Sequence, residues 1–161
     1  MLSRRIIMMT MQKSILTLTT TEISEITTET ASGGGNITND GGDSVTAKGV
    51  CWSISVNPTI ADSKTEDGTG TGVFVSSITS LSATTDYHVR AYAINSVGTS
   101  YGNDVEFTTD DLVVPGAPDI GTATKTGSTT ATVAFTAPAS NGGSTILNYK
   151  AYHSGSTLCG T

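Results

Sequence analysis

The sequence predicts an all-β protein, and three observations carry that reading. Tyr87, Val89, Ala91 and Ala93 alternate with His88, Arg90, Tyr92 and Ile94, which places one group on each face of a strand. Thr is the most frequent residue, and its branched Cβ favours strands over helices. No window of about 11 residues combines helical spacing with caps.

Taken in order, residues 1–14 show no clear period and are expected to be poorly ordered. Arg4-Arg5 precede Ile6, Ile7, Met8 and Met9, but this run breaks at Thr10. It is shorter than the roughly 7–15 apolar residues of a secretory signal, and no stretch approaches the ~20 apolar residues of a spanning helix. Ile15, Leu16, Leu18, Ile23 and Ile26 amid Thr predict a first strand that breaks or switches near Thr20. Thr30 to Thr38 reads as a second strand with Ala31, Gly33, Gly35 and Ile37 on one face. Three consecutive glycines, Gly33 to Gly35, weaken a strand and mark a close approach of another group. Asn39-Asp40-Gly41-Gly42-Asp43 is turn chemistry.

Val45 to Ile54 is predicted as the third strand, with Val50, Trp52 and Ile54 on one face and Cys51 and Ser53 on the other. A polar loop, Asn57 to Gly72, contains Pro58 and alternating glycines. Gly72 to Leu81 then sets Phe74, Ser76 and Ile78 against Val73, Val75 and Ser77. After the turn Ser82 to Asp86, Tyr87 to Thr109 reads as a β-hairpin with one buried face, turning at Asn95-Ser96-Val97-Gly98 and returning through Val105 and Phe107.

Leu81, a polar turn, and Tyr87 opening a strand that ends in Ala93-Ile94-Asn95 and Gly98 resemble the last hairpin of a fibronectin type III domain. The closest variant is that of large bacterial surface proteins, whose third strand Gly49-Val50-Cys51-Trp52-Ser53 also resembles. The resemblance implies an immunoglobulin-like β-sandwich over 15–109, with Trp52, Leu81, Tyr87, Val89, Ala91 and Phe107 as structural residues. It implies a tyrosine corner at Tyr87, the phenol bonding back to backbone and the ring capping the core. Such domains usually carry their core Trp on the second strand. Here the second strand is Gly-rich and the Trp is on the third, so Gly33 and Gly35 are expected to vacate the volume that Trp52 fills.

A stiff connector, 110–118, holds Pro115 and Pro118, and Pro115-Gly116-Ala117-Pro118 resembles the entry into another such domain. Gly41 and Gly142 stand 101 positions apart, and Thr30-Ala31 and Thr130-Ala131 stand 100 apart. That period matches the size of one sandwich. Residues 119–161 are therefore expected to be the N-terminal half of a second domain, with Ala131, Val133 and Phe135 on its second strand and Tyr149 and Ala151 on its third. This half is expected to be only marginally stable, since too little surface is buried to offset chain entropy.

The motifs that could carry chemistry lack the context they need. Gly98-Thr99-Ser100-Tyr101-Gly102 fits G-x-S-x-G, but a strand follows where a nucleophile elbow needs a helix. Gly68 to Gly72 lacks the Lys and the following helix of a phosphate loop. Asp40, Asp43, Asp62, Glu66 and Asp67 are expected to be solvated loop charge; calcium would need about six to eight converging oxygens. His88 and His153 are too few for zinc. Asn36-Ile37-Thr38 is a formal glycosylation acceptor inside a predicted strand. Cys51 and Cys159 fall in different repeats and are expected as inert thiols, Cys51 buried beside Trp52. No catalytic residue, cofactor or metal is expected.

A formal net charge of −6 with 14% charged residues argues against nucleic-acid binding and against docking on anionic membranes. Two functions are expected to compete. One is a non-catalytic spacer or adhesion module of a larger extracellular or cell-surface protein, whose partners are neighbouring domains and a host or surface protein or glycan. The other is a carbohydrate- or ligand-binding accessory module attached to a secreted enzyme. The second would need an exposed aromatic platform, for which Tyr92 and Tyr101 are the candidates on the hairpin and Tyr152 in the second repeat.

Overall fold

The structure, a computed structural model, describes the backbone of residues 12–153 and 157–160 and the side chains of 12–150. Residues 1–11 of the expected N-terminal segment lie outside the described residues, as do the side chains of Tyr152, His153 and Cys159. The chain divides into two compact units, Met1–Asp110 and Asp111–Thr161. The described residues contain strands and turns but no helix, and no helix is long and apolar enough to cross a membrane.

The first unit is two antiparallel sheets. One has the order β1 (Thr17–Thr20), β2 (Ala31–Asn39), β5 (Gly72–Ile78). The other runs β4 (Ser63–Lys64), β3 (Ala47–Ser53), β6 (Asp86–Ile94), with β7 (Thr99–Tyr101) and β8 (Val105–Thr108) both paired to β6. The expected break in the first strand falls after Thr20; Thr21 still donates to the Gly34 carbonyl at 3.1 Å, and Ser24 makes an isolated pairing with Ser32. The inward sets match the alternation. Ala31 and Ile37, Phe74, Ser76 and Ile78, and Val89, Ala91 and Ala93 are buried, while Val73 and Val75 face out. Leu16, Leu18, Val45, Val50, Leu81, Tyr87 and Phe107 complete this core. The Ser82 N–H donates to the Tyr87 phenol oxygen at 3.1 Å, and the Tyr87 ring stacks on Phe107 at 5.8 Å. The turn before β6 is thereby tied to the strand it feeds.

Four expectations change. The hairpin strand β6 is covered on both sides, because Tyr92 on its second face is only 1% exposed. Its return limb is not one strand: β7 and β8 are separated at Gly102–Asp104. Ile54 lies past the end of β3 and is 70% exposed. Lys13 and Ser14 are anchored, Lys13 by an ion pair with Asp43 at 2.9 Å and Ser14 by donating to the Gly41 carbonyl at 2.8 Å.

The glycines of β2 do mark a close approach, but to other partners than Trp52. A Cβ on Gly35 would stand 2.6 Å from the Ala91 Cβ and 3.1 Å from Phe74 Cε1, so this glycine lets β2 and β6 meet across the sandwich. A Cβ on Gly33 would stand 2.9 Å from Ile23 Cδ1. One on Gly34 would collide with the Phe74 carbonyl. Trp52 packs only partly buried against the core, and the atoms nearest a Cβ at Gly33 or Gly35 belong to Ile23, Ile78, Ala91, Thr19 and Phe74.

In the second unit β9 (Asp119–Lys125) pairs antiparallel with β10 (Ala131–Thr136), and β11 (Ala151–His153) with β12 (Thr157–Gly160). Tyr149 precedes β11 and Ala151 opens it. The connector is shorter than 110–118, because Val113 donates to the Gly142 carbonyl at 3.0 Å and Gly116 to the Ser140 carbonyl at 3.0 Å. Its later half therefore belongs to this unit. The strand residues are open: Val133 is 41% exposed and Phe135 52%, although Phe135 keeps a ring contact with Tyr149 at 4.6 Å.

Candidate functional site

The outer face of the β4-β3-β6-β7 sheet gathers the residues to which the sequence reading assigned ligand or chemical roles. Gly49, Tyr92 and Tyr101 stand side by side on adjacent strands, as do Cys51 and Arg90, and Ser53, His88 and Glu106. A strand face this rich in aromatic and thiol side chains must be covered or used. Residues 54–62 cross it, and residues 63–67 close its margin along the β3 edge, where Thr65 donates to the Val50 carbonyl at 2.9 Å and Asp67 to the Lys48 carbonyl at 2.8 Å.

That cover is fastened along its length. Asn57 donates its N–H to Asp104 Oδ2 at 2.8 Å, and the same oxygen lies 3.2 Å from His88 Nδ1. Pro58 is fully buried, and its carbonyl accepts from the Cys51 thiol at 3.4 Å. Ile60 donates to the Tyr101 phenol oxygen at 3.1 Å. The Tyr92 hydroxyl donates to the Thr65 carbonyl at 2.6 Å. A side chain at Gly49 would collide with that same carbonyl, so glycine is required for Thr65 to approach the strand this closely. Asp67 Oδ2 then accepts from Thr65 Oγ1 at 2.6 Å and from Ser76 Oγ at 2.5 Å.

The electrostatics follow from this closure. Burial pushes the Tyr92 phenol up to about 12, helped by the nearby charges of Glu66 and Asp67. Burial likewise pushes the Cys51 thiol up to about 11, so it is a protonated, unreactive donor at neutral pH. Tyr101 is half-buried beneath Arg90, whose guanidinium carbon sits 4.7 Å from the ring centroid while its Nε donates to the Gly102 carbonyl at 3.0 Å. The proposed aromatic platform is thus corrected: Tyr92 is inside the protein and Tyr101 has a cation on its face. Neither ring is free to stack on a sugar.

The remaining candidates are dispersed. Ser100 pairs with Ala93 and is buried, whereas His88 pairs with Glu106 five positions along β6 on the opposite face. The G-x-S-x-G serine and the histidine therefore cannot share a proton. Asp43 is held by Ser96 and Lys13, well below the usual carboxylate range. Asp62 caps Thr59 at 2.8 Å, and Asp40 accepts from Gly42 at 2.9 Å. Among the described residues no three His, Cys, Asp or Glu side chains converge on a metal position. The structural residues Leu81, Tyr87, Val89, Ala91 and Phe107 come together in the inner core, with Trp52 at its margin.

Sequence reasoning missed the covering segment and its fasteners, Asn57, Pro58, Thr65, Asp67 and Asp104. A signal was present: Cys51 and Tyr92 sit on what the alternation marks as the outer face, and neither is a common exposed type.

No family model matches the sequence, and no curated protein matches it. Among solved structures, the chain is similar to a short form of the sensor domain of the anti-sigma factor RsgI4 of Pseudobacteroides cellulosolvens. There the identity is 16% and the TM-score 0.45, over 62% of this chain and 98% of that one. The solution structure of the same organism's RsgI4 sensor domain aligns at 17% identity and a TM-score of 0.44, over 62% of this chain and 78% of that one.

Proposed function

We propose that this chain is a non-catalytic spacer or adhesion module of a larger extracellular or cell-surface protein, built from fibronectin type III-like repeats. The observation that carries the reading is the sealed outer face. The residues that could have formed a ligand platform or a reactive group, Tyr92, Tyr101 and Cys51, are spent on fastening residues 54–67 to the sheet. A face closed by its own chain resists deformation and presents backbone loops instead of a pocket. The Tyr87–Ser82 corner and the pairing of a β1-β2-β5 sheet with a β4-β3-β6-β7 sheet support the fibronectin type III-like part of the proposal. The partners are neighbouring domains of the parent chain and a surface protein or glycan met through loops, with no nucleic acid and no membrane insertion.

The test is a binding screen of the full chain against soluble oligosaccharides, read by backbone amide shifts. The expected result is no saturable shift around Tyr92, Tyr101 or Arg90. Saturable binding there that Tyr101→Ala abolishes would overturn the spacer reading in favour of an accessory ligand-binding module. Turnover of ester, glycoside or peptide substrates lost on Ser100→Ala would overturn its non-catalytic part.

A further inference from the structure

The chain builds a diglycine turn twice, as Asn39-Asp40-Gly41-Gly42 and as Ser140-Asn141-Gly142-Gly143. The residue before the first glycine is a carboxylate in one and a carboxamide in the other. Asp40 accepts from the Gly42 N–H at 2.9 Å, and Asn141 Oδ1 from the Gly143 N–H at 3.1 Å. A carboxamide in this place has a reaction of its own. Its carbon is an electrophile, and glycine, having no side chain, leaves the next amide nitrogen open to it. The bond from Gly143 back to Asn141 Oδ1 closes a ring around Gly142, which folds the carboxamide over the side of the chain where the Gly142 nitrogen lies. Asn141 is exposed, so water reaches it.

No other asparagine of the chain is followed by glycine. Asn57 precedes Pro58, which has no amide N–H to react. Asn95 is buried, with its nitrogen donating to the Ser14 and Asp40 carbonyls and its oxygen accepting from Val97 and Gly98.

From this contrast we infer that Asn141-Gly142 is a self-modification site, where a succinimide forms and opens to a product that releases the connector from the second unit. The Gly142 nitrogen bonds to Asn141 Cγ, the Cγ–Nδ2 bond breaks, and the amide proton leaves with that nitrogen as ammonia. Water then opens the ring. Attack at Cγ gives aspartate with the main chain as before. Attack at the former main-chain carbonyl gives isoaspartate, with the main chain rerouted through Cβ and Cγ. Aspartate reproduces the first turn, where Asp40 stands and the Gly41 carbonyl still accepts from Ser14. Isoaspartate instead inserts one more main-chain bond, about 1.5 Å long, between Ser140 and Gly142. The connector is tied on both sides of that insertion, Val113 to the Gly142 carbonyl and Gly116 to the Ser140 carbonyl, each at 3.0 Å. The fit there is close, since even a Cβ at Gly142 would collide with Val113. The extra atom cannot be absorbed, so the two bonds open together. The inference goes beyond the spacer reading and does not depend on it.

Ageing the full chain in warm, mildly alkaline buffer tests it, with Asn141→Gln and Asn141→Asp as variants. Peptide mapping is expected to find a gain of about one mass unit at residue 141 at least about tenfold faster than at any other asparagine. An isoaspartyl methyltransferase is expected to label that peptide. Asn141→Gln removes the early mass gain and the label, because its longer side chain needs a larger ring. Freshly prepared Asn141→Asp is expected to keep the amide exchange of the unaged chain at Val113 and Gly116, whereas the separated isoaspartyl chain exchanges both faster. A residue 141 that stays unchanged, or another asparagine that reacts first, overturns the site. An isoaspartyl chain whose exchange at Val113 and Gly116 matches the unaged chain overturns the release, and so does fresh Asn141→Asp exchanging them as fast as the isoaspartyl chain.

Discussion

The two units begin with the same local device and end with opposite burial. In the first, Gly41 and Gly42 adopt φ of 70° and 77°, Asn39 and Asp40 side chains accept from their N–H groups, and the Gly41 carbonyl accepts from Ser14. In the second, Gly142 and Gly143 adopt φ of 72° and 83°, Ser140 and Asn141 side chains accept in the same way, and the Gly142 carbonyl accepts from Val113. A side chain at Gly41 would collide with Ser14, and one at Gly142 with Val113. The turn is thus repeated down to its backbone clasp. Yet Ala31 and Ile37 on β2 are buried, while Val133 and Phe135 on β10 are not. The difference lies in what stands beside each strand. β2 lies between β1 and β5 with β6 beneath it; among the described residues β10 pairs with β9 alone. Turn chemistry is local and survives alone. Burial is non-local and needs the strands that come later in the first unit.

The comparison breaks most visibly in aromatic truncation. Tyr92→Ala should destabilise the first unit by about 3–5 kcal/mol, as deletion of a large buried ring does. Phe135→Ala, at a half-exposed ring, should cost less than about 1 kcal/mol. Denaturant midpoints followed by exchange in Val89–Ala93 and in Ala131–Phe135 separate the two. Equal costs would mean that both units hold comparable cores. Exchange in the wild type is expected to be slow across Val89–Ala93 and fast across Ala131–Phe135.

High pH should act on the first unit next. The folded pKa of Tyr92 is raised from 10.0 to about 12. Its contribution is therefore fully present below pH 10 and is lost as pH rises towards 12, about 2–3 kcal/mol in all. Urea titrations at pH 8, 10 and 11.5 should show this fall, and Tyr92→Phe should flatten it. A wild-type slope unchanged in Tyr92→Phe would remove Tyr92 as its cause.

A smaller effect, about 1–3 kcal/mol, is expected from Gly35→Val, which overpacks the contact with Ala91 and Phe74. The position 100 residues later is Phe135, on a strand with open space beside it, so Phe135→Ile should be close to neutral. Thermal unfolding of both variants checks the pair.

The smallest effect belongs to Asp43→Asn. Asp43 holds Lys13 and Ser96 at the surface, and its carboxyl is depressed below the ordinary range by those partners. The stability it contributes is present above the ordinary carboxylate pKa and is lost as pH falls through the folded one. The variant should unfold slightly earlier than wild type at neutral pH and low salt, and the gap should close in acid and in high salt. A gap that persists in acid would assign the effect to packing.

Much of this was legible in the residues. Alternation assigned the inward set on β2, β5 and β6, because successive side chains of a strand must point to opposite faces. The diglycine turns and their period were legible, because a positive φ leaves few residue choices. The tie between Tyr87 and the preceding turn was implied by the resemblance of this hairpin to a fibronectin type III domain, and it spans five residues of chain. Other features were decided only by tertiary structure. Alternation says which residues share a face, not whether another segment closes that face, so the closure of Cys51 and Tyr92 by the segment between β3 and β5 was invisible in β6 itself. The partners of Gly33 and Gly35 were decided by the inter-sheet register, which sets Gly35 against Ala91 and leaves Trp52 at the margin. The openness of Phe135 depends on which strands flank β10, and a strand's own sequence does not specify its neighbours.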